Sequence, residues 1–183
     1  MIEVELKFKV DNPEEFVRRL KKLGAKKVDD GLEENIKFTD SAGRIEKNDE
    51  LLRLRSYAGR ADITHKRMMP STKFKQREEV VVNIDSFGKG RALLERLGFR
   101  AKGRYEKKRQ TWELGDVGIT LDTMPHMGNF MEIEGTEDGI KQTAEKLGLH
   151  MKDGITKDYG MLFGEYCRKT GSKLELVFPE GEK

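Results

Sequence analysis

Apolar and charged residues alternate along the first segment of the chain, MIEVELKFKV. From position 2 to position 10 the even-numbered residues are apolar, and the odd-numbered ones include the charged residues Glu3, Glu5 and Lys7. Successive side chains of a β-strand point to opposite faces, so this pattern predicts a strand with one apolar face and one charged face. The ordinary interpretation is a sheet that packs its apolar face on a core and exposes its charged face to water.

A strand followed by a helix that ends in Leu-Gly occurs three times along the chain. The three predicted helices begin after the candidate N-caps Asn12, Ser86 and Thr136 and end at Gly24, Gly98 and Gly148. Polar caps that accept backbone hydrogen bonds and glycines that adopt a left-handed conformation are typical of helix ends. We interpret the pattern as a weak internal repeat of a strand and a helix.

Other alternating segments predict the remaining strands, and two pairs of them are predicted to form hairpins across short polar turns. These segments are ENIKFTD, LLRLRSYAG, ADITHKRMM, KGRYEKKRQTWEL and VGITLDTM. About eight strands result, with a further helix predicted in TKDYGMLFGEYCRK and a turn at residues 41–43. We therefore expect one α+β domain on an antiparallel sheet over residues 1–170, followed by a tail over residues 171–183 that forms an edge strand or is disordered.

The composition narrows the class of protein. The 36 Lys and Arg residues nearly balance the 33 Asp and Glu residues, and this near-balance disfavours nucleic acid as a partner. No apolar run is long enough to span a membrane, and no charged-then-apolar leader opens the sequence. Cys167 is the only cysteine, which excludes a disulfide framework and a cysteine-based zinc site. We expect a cytoplasmic protein.

The charged faces of the predicted strands contain several pairs of like charge, such as Glu132 with Glu134. Two like charges that are two residues apart on one face of a strand repel each other, so they gain from a ligand of opposite charge. The seven bases on these faces are Lys7, Arg53, Arg55, Lys66, Arg77, Lys107 and Arg109. The six acids are Glu3, Glu5, Glu79, Asp122, Glu132 and Glu134. The alternation of faces does not decide whether Glu78 or Glu79, or whether Lys107 or Lys108, lies on the charged face of its strand.

This combination of side chains indicates a particular chemistry. Clustered carboxylates are hard oxygen ligands for Mg²⁺ or Mn²⁺, and clustered Arg and Lys suit phosphate oxygens. Eight strands that curl towards closure would enclose a lumen about wide enough for one elongated ligand. The sequence therefore predicts a site for a metal ion and a phosphate compound.

In its ordered set of charged residues, the chain resembles the CYTH family, or triphosphate tunnel metalloenzymes, which includes class IV adenylate cyclases and thiamine triphosphatases. The family signature E-x-E-x-K matches Glu3, Glu5 and Lys7, and the segments LRLR, THK, REE and KKR match its internal strands. The family's L-D…G-x-F-x-E-x-E segment matches LDTMPHMGNFMEIE. The resemblance covers residues 1 to about 166. In this last segment His126 and Met127 depart from the family; they either contact an organic group or only turn the chain, and we favour the turn.

The resemblance implies a closed antiparallel eight-stranded β-tunnel with helices packed outside. It also implies that the seven bases bind a triphosphate, that the six acids hold one or two Mg²⁺ or Mn²⁺ ions, and that Glu5, Lys7 and Lys66 are catalytic. The expected partner is a small-molecule triphosphate, ATP or another, rather than nucleic acid or a membrane. The expected oligomeric state is a monomer or a homodimer.

Three functions are compatible with the resemblance. The leading expectation is a class IV adenylate cyclase, which converts ATP to cyclic AMP and pyrophosphate. The first alternative is a triphosphatase that hydrolyses inorganic triphosphate, thiamine triphosphate or nucleoside triphosphates. The second alternative is a module that binds nucleotide or polyphosphate without turnover. The predicted charges explain triphosphate binding equally well in all three.

Overall fold

The computed structural model describes residues 2–69, 74–172 and 175–183. Within them the chain forms eight strands: β1 Ile2–Val10, β2 Lys26–Thr39, β3 Glu50–Tyr57, β4 Arg60–Met69, β5 Lys75–Ile84, β6 Arg100–Leu114, β7 Val117–Met124 and β8 Gly128–Glu134. The α-helices in the described ranges are α1 Pro13–Lys22, α2 Arg44–Lys47, α3 Phe87–Arg96, α4 Glu137–Lys146 and α5 Tyr159–Thr170. A short 3₁₀ helix spans Met151–Asp153.

The eight strands close into a barrel in the order β1-β5-β4-β3-β2-β6-β7-β8. Every neighbouring pair is antiparallel. The predicted α+β fold, a closed eight-stranded antiparallel barrel with helices packed outside, is therefore confirmed. None of the helices in the described ranges is long and apolar enough to cross a membrane.

The ends of the three repeated helices follow the predicted pattern. Each predicted N-cap side chain accepts a hydrogen bond from a backbone N–H three residues later, at 3.2 Å for Asn12, 3.3 Å for Ser86 and 3.1 Å for Thr136. The glycines after α1, α3 and α4 have positive φ angles, 80° at Gly24, 89° at Gly98 and 71° at Gly148. A side chain is disfavoured in that backbone conformation, which explains the recurring Leu-Gly ends.

The apolar faces of the strands point outwards and helices bury much of them, although Val80 and Val82 of β5 stay exposed. Leu6 and Phe8 of β1 belong to a core cluster with Leu20 of α1 and Ile140 of α4. A second cluster places Leu94 of α3 against the outer faces of β2 and β3. Because neighbouring residues of a strand alternate faces, this outward packing directs the charged residues into the barrel.

One strand is longer than the alternation predicted. β2 begins at Lys26, eight residues before the predicted segment ENIKFTD, and its first residues pair with the end of β6. Pairing with the neighbouring strand holds this polar stretch in extended form, although its residue types have little intrinsic preference for it. The four-residue helix α2, which follows the predicted turn at residues 41–43, was not predicted.

The end of the chain packs against β6. The backbone N–H of Glu106 donates to the carbonyl oxygen of Leu176 at 2.8 Å, and the N–H of Phe178 donates to a Glu106 carboxylate oxygen at 3.0 Å. The side chains of Leu176 and Phe178 are buried. The domain limits expected from the sequence stay a prediction, and residues 173–174 lie outside the described ranges.

Candidate functional site

The barrel encloses a cavity of about 290 Å³, and charged side chains line most of it. Twelve of the thirteen candidate residues line this cavity: Glu3, Glu5, Lys7, Arg53, Arg55, Lys66, Arg77, Glu79, Lys107, Arg109, Glu132 and Glu134. The structure also decides the two ambiguous positions. Glu78 pairs with Arg67 on the outer surface at 2.6 Å, and the Lys108 ammonium lies 5.0 Å from the ring centroid of Phe178.

Acids and bases are concentrated on opposite sides of the barrel. We call β8, β1 and β5, which are neighbours, the carboxylate arc; it carries Glu3, Glu5, Glu79, Glu132 and Glu134, together with Lys7, Lys75 and Arg77. We call β3, β2 and β6 the base arc; it carries Lys37, Arg53, Arg55, Lys107 and Arg109. The strands β4 and β7 separate the two arcs. The cavity is therefore electrostatically polarised.

A buried carboxylate holds the base arc together. Glu33 of β2 is fully buried, and its oxygens lie 3.4 Å from Lys107 and 3.6 Å from Arg109. Burial raises the pKa of the Glu33 carboxyl, but these neighbouring cations outweigh burial and lower it well below its usual range. Glu33 thus stays ionised and fixes the positions of bases that would otherwise repel one another.

Asp122 is the one candidate residue outside the cavity lining, and it is almost fully buried. Its oxygens accept two hydrogen bonds from Arg109 at 2.6 Å, one from Lys107 at 3.2 Å and one from the Tyr159 hydroxyl at 2.7 Å. A carboxylate with this many donors orients the bases beside it. In this arrangement Asp122 acts on Arg109 and Lys107, and its expected role as a metal ligand stays a prediction.

On the carboxylate arc, lysines neutralise most of the acids. Lys66 binds Glu3 at 2.6 Å and Glu79 at 3.2 Å, Lys75 binds Glu5, and Lys7 binds Glu132. Glu134 differs, because no side chain in the described ranges forms a hydrogen bond or ion pair with it. Its surroundings, first through burial and then through the charges of Glu3 and Glu5, raise its pKa to about 7.

The carboxylate arc fits a hard divalent cation. No group of three or more His, Cys, Asp and Glu side chains in the described ranges is close enough together to hold a metal ion as it stands. Mg²⁺ does not need such a cage, because it keeps several waters and is usually bound by one or two carboxylates together with substrate phosphates. Glu134 has no ion pair in the described ranges and lies near Glu3 and Glu5, so a cation bound there would relieve repulsion between carboxylates.

Several residues of the cavity were not predicted from the sequence. They are Lys37, Lys75, Asp158 and Tyr159. Lys37 and Lys75 are an even number of positions from the other inward residues of their strands and therefore share their face. Alternation alone could have identified them. Asp158 and Tyr159 come from the start of α5, outside the barrel, where no strand pattern applies.

The loop with His126 connects β7 and β8 and lies away from the cavity lining. His126 has a positive φ of 64°, and its Nε2 lies 3.2 Å from the carbonyl oxygen of Glu175. Its ring stacks at 6.3 Å on Phe163 of α5. These contacts agree with the interpretation of the loop as a turn.

A family model described as the CYTH domain matches residues 1–159, which include all eight strands. The chain belongs to the CYTH family. The family predicted from the ordered charged residues is thus confirmed. The CYTH match ends at the first residue of α5, so most of α5 and the segment that packs on β6 lie beyond it.

Other CYTH-like proteins resemble this chain over most of its length. A Methanocaldococcus jannaschii protein named as a putative adenylate cyclase is 32% identical over 142 residues, which are 78% of this chain and 81% of that protein. The PH1012 protein of Pyrococcus horikoshii has a TM-score of 0.74 and 29% identity, and the match covers 87% of this chain and 98% of that one. A Hippeastrum protein described as a putative adenylyl cyclase with a dominant triphosphatase activity has a TM-score of 0.63. The match covers 96% of this chain and 98% of that one. At 17% identity, this last likeness shows the fold alone.

Proposed function

We propose that this chain is a divalent-metal-dependent enzyme that hydrolyses the terminal phosphoanhydride bond of a triphosphate. The observation that carries the proposal is the opposition of a carboxylate arc and a base arc across one cavity inside the closed barrel. Guanidinium and ammonium groups bind phosphate oxygens, whereas carboxylates bind the cation that accompanies them. Phosphoryl transfer depends mainly on positioning and charge stabilisation, which is what such a cavity offers.

The size and lining of the cavity favour hydrolysis of a compact substrate. A volume of about 290 Å³ is at the lower end of the range for small-molecule sites, roughly 300–1,000 Å³. The two tyrosine rings of the lining already face ammonium groups, with Lys7 4.1 Å from the Tyr159 centroid and Lys37 5.4 Å from the Tyr105 centroid. These rings are therefore engaged by cations rather than free to stack on a nucleobase.

A class IV adenylate cyclase is the second candidate function. It is favoured by the 32% identity to the M. jannaschii protein named as a putative adenylate cyclase. In this reaction the ribose 3′-oxygen would attack the α-phosphorus of ATP and release pyrophosphate. The same bases would hold the phosphates, so the two candidates differ in the attacking oxygen and in the phosphorus that it attacks.

The chain's own residues have separable roles in the proposed hydrolysis. Arg53, Arg55 and Lys107 bind phosphate oxygens. Burial lowers the pKa of the Lys7 ammonium, but Glu132 and Glu5 outweigh burial and raise the pKa above its usual value. Lys7 is therefore a charged hydrogen-bond donor that stabilises developing negative charge and not a general base. A bound divalent cation would supply further neutralisation of the phosphate oxygens.

The function can be tested by offering inorganic triphosphate, thiamine triphosphate and ATP separately, each with Mg²⁺ or Mn²⁺, and resolving the products by chromatography. We expect orthophosphate as a product and no reaction after chelation of the metal. Cyclic AMP with pyrophosphate would instead select the cyclase. Tight triphosphate binding without any product would select the non-enzymatic module, and absence of both binding and product would contradict all three.

The elevated pKa of Glu134 predicts a pH-dependent effect of metal on stability. Between 4.5, the ordinary value, and about 7, the folded protein keeps a proton that the unfolded chain has lost, so the contribution of Glu134 to stability falls as the pH rises. A divalent cation favours the ionised carboxylate. We therefore expect Mg²⁺ or Mn²⁺ to raise the melting temperature more at about pH 8 than at about pH 6.

Thermal melts with and without metal at both pH values measure this effect. Glu134→Gln is the control, because an amide does not titrate and the metal effect should then lose most of its pH dependence. An equal metal-dependent rise at both pH values in the unmodified protein would contradict the assignment of Glu134.

A further inference from the structure

The bases of the cavity differ in whether they already have an acidic partner. Most of them lie within 4 Å of a carboxylate: Lys7, Arg55, Lys66, Lys75, Arg77, Lys107 and Arg109. Within the described ranges, Lys37 and Arg53 have no carboxylate at ion-pair distance. The Nε of Arg53 is buried and lacks any hydrogen-bond partner there. These two cations are thus the described bases of the cavity that have no carboxylate in direct contact.

Lys37 and Arg53 are also direct neighbours. They lie opposite each other in the antiparallel pairing of β2 with β3, and both side chains line the cavity. Like charges directly opposite each other on one face of a sheet destabilise it. No described carboxylate lies within 4 Å of either side chain, so acids such as Glu33 and Asp158 offset this repulsion only from a greater distance. The other bases of the base arc lie within 4 Å of Glu33 or Asp122.

The surroundings of the Lys37 ammonium leave room for a ligand. It lies over the ring of Tyr105 at 5.4 Å from the centroid. Gly160, in the first turn of α5, is close enough that a Cβ on it would lie 2.8 Å from the Lys37 Nζ. The absence of a side chain at Gly160 keeps the ammonium accessible. Asp158 lies 3.5 Å from Arg77 and beyond ion-pair distance from Lys37, although burial of Asp158 is outweighed by the charge of Lys37 and other cations, which lower its pKa.

We propose that Lys37 is a further triphosphate-binding residue, which together with Arg53 holds the part of the triphosphate that lies away from the carboxylate arc. An anion that binds the paired bases must compete with their carboxylates, whereas an anion at Lys37 and Arg53 displaces none. It also removes the repulsion between the two cations. This inference rests on the proposed function, and it assigns a binding role to a residue that belongs to none of the charged motifs found in the sequence.

The test is the replacement Lys37→Met, which removes the charge and keeps much of the aliphatic chain. We expect KM for inorganic triphosphate to rise roughly tenfold or more, because a charge-assisted hydrogen bond to phosphate is lost, and kcat to change by less than about threefold. Lys37→Arg should restore most of the affinity. In the absence of metal, inorganic triphosphate should raise the melting temperature of Lys37→Met less than that of the unmodified protein.

Lys102→Met is the matched control, because Lys102 pairs with Glu46 outside the cavity at 2.7 Å and should leave KM unchanged. If Lys37→Met does not fold, Lys37→Gln carries the same measurements. An unchanged KM and an unchanged thermal shift would overturn the inference while leaving the proposed function intact. A fall in kcat at constant KM would also overturn it, because Lys37 would then act on the reacting phosphorus. Absence of triphosphate binding and turnover in the unmodified protein would overturn the proposed function itself.

Discussion

Glu134→Gln is expected to lower metal-dependent turnover about 100-fold or more while the protein stays folded. Even the outer partners of metal ligands typically contribute 10–100-fold to metal affinity or activity, so the loss of a ligand should cost at least as much. Glu134 forms no hydrogen bond or ion pair with the described residues, and burial together with the charges of Glu3 and Glu5 raises its pKa to about 7. Removing its charge should therefore stabilise the metal-free protein at neutral pH.

Glu132→Gln provides the contrasting case. The Glu132 carboxylate binds both Lys7 and Arg109, so its loss leaves two buried cations undercompensated. We expect Glu132→Gln to lose activity and to have a lower melting temperature than the unmodified protein. Glu134→Gln should also lose activity, but its melting temperature should be equal to or higher than that of the unmodified protein. Kinetics over a range of metal concentrations and metal-free melts distinguish the two variants. Full activity of Glu134→Gln at low metal would show that this carboxylate is not a ligand.

The different states of Glu132 and Glu134 could not be read from the sequence, although both lie on the inward face of one strand. The register of β1 against β8 decides between them, because it places Glu132 opposite Lys7 and Glu134 opposite Glu5. One carboxylate therefore gains an ammonium and the other gains a second carboxylate. Alternation predicts which face a side chain occupies, but only the pairing of distant strands determines its neighbour.

The same limit applies to Lys107 and Lys108, which carry the same charge on opposite faces. Their segment contains bases at both parities, so the pattern alone leaves the inward residue open. The fold resolves it because Arg109 pairs with Asp122 across β6 and β7, which places Lys107 on the same inward face. Where the apolar face is unambiguous, as in β1, alternation was sufficient to predict that Glu3, Glu5 and Lys7 face the cavity.

The contribution of α5 had the weakest sequence signal. Its first residues bring Asp158 to Arg77, at 3.5 Å, and the Tyr159 hydroxyl to Asp122, at 2.7 Å. The amphipathic pattern predicted this helix, but the position of its N-terminus relative to the barrel depends on tertiary packing. Tyr159 also packs edge-on against Phe130 of β8, with ring centroids 5.3 Å apart. A residue whose position depends on such long-range packing cannot be assigned to a cavity from local periodicity.

Leu6→Ala is expected to lower the free energy of unfolding by roughly 2–5 kcal/mol, because it removes buried methyl groups and leaves a void. Leu6 is 2% exposed and belongs to the core cluster between the barrel wall and α1 and α4. Gly154 packs directly on it, since a Cβ there would lie 2.6 Å from a Leu6 methyl carbon. The activity per folded molecule should change little, because Leu6 points away from the cavity.

Glu5→Ala should give the opposite result, although Glu5 precedes Leu6 in the chain. It removes a cavity carboxylate and should reduce turnover strongly. Its cost in stability should be smaller than that of Leu6→Ala, because the loss of the Lys75 ion pair is partly offset by the relief of repulsion with Glu134, which lies opposite it. Urea unfolding and turnover per folded molecule separate the two variants. If the odd-numbered face of β1 were only a solvated surface, Glu5→Ala would be silent in both assays.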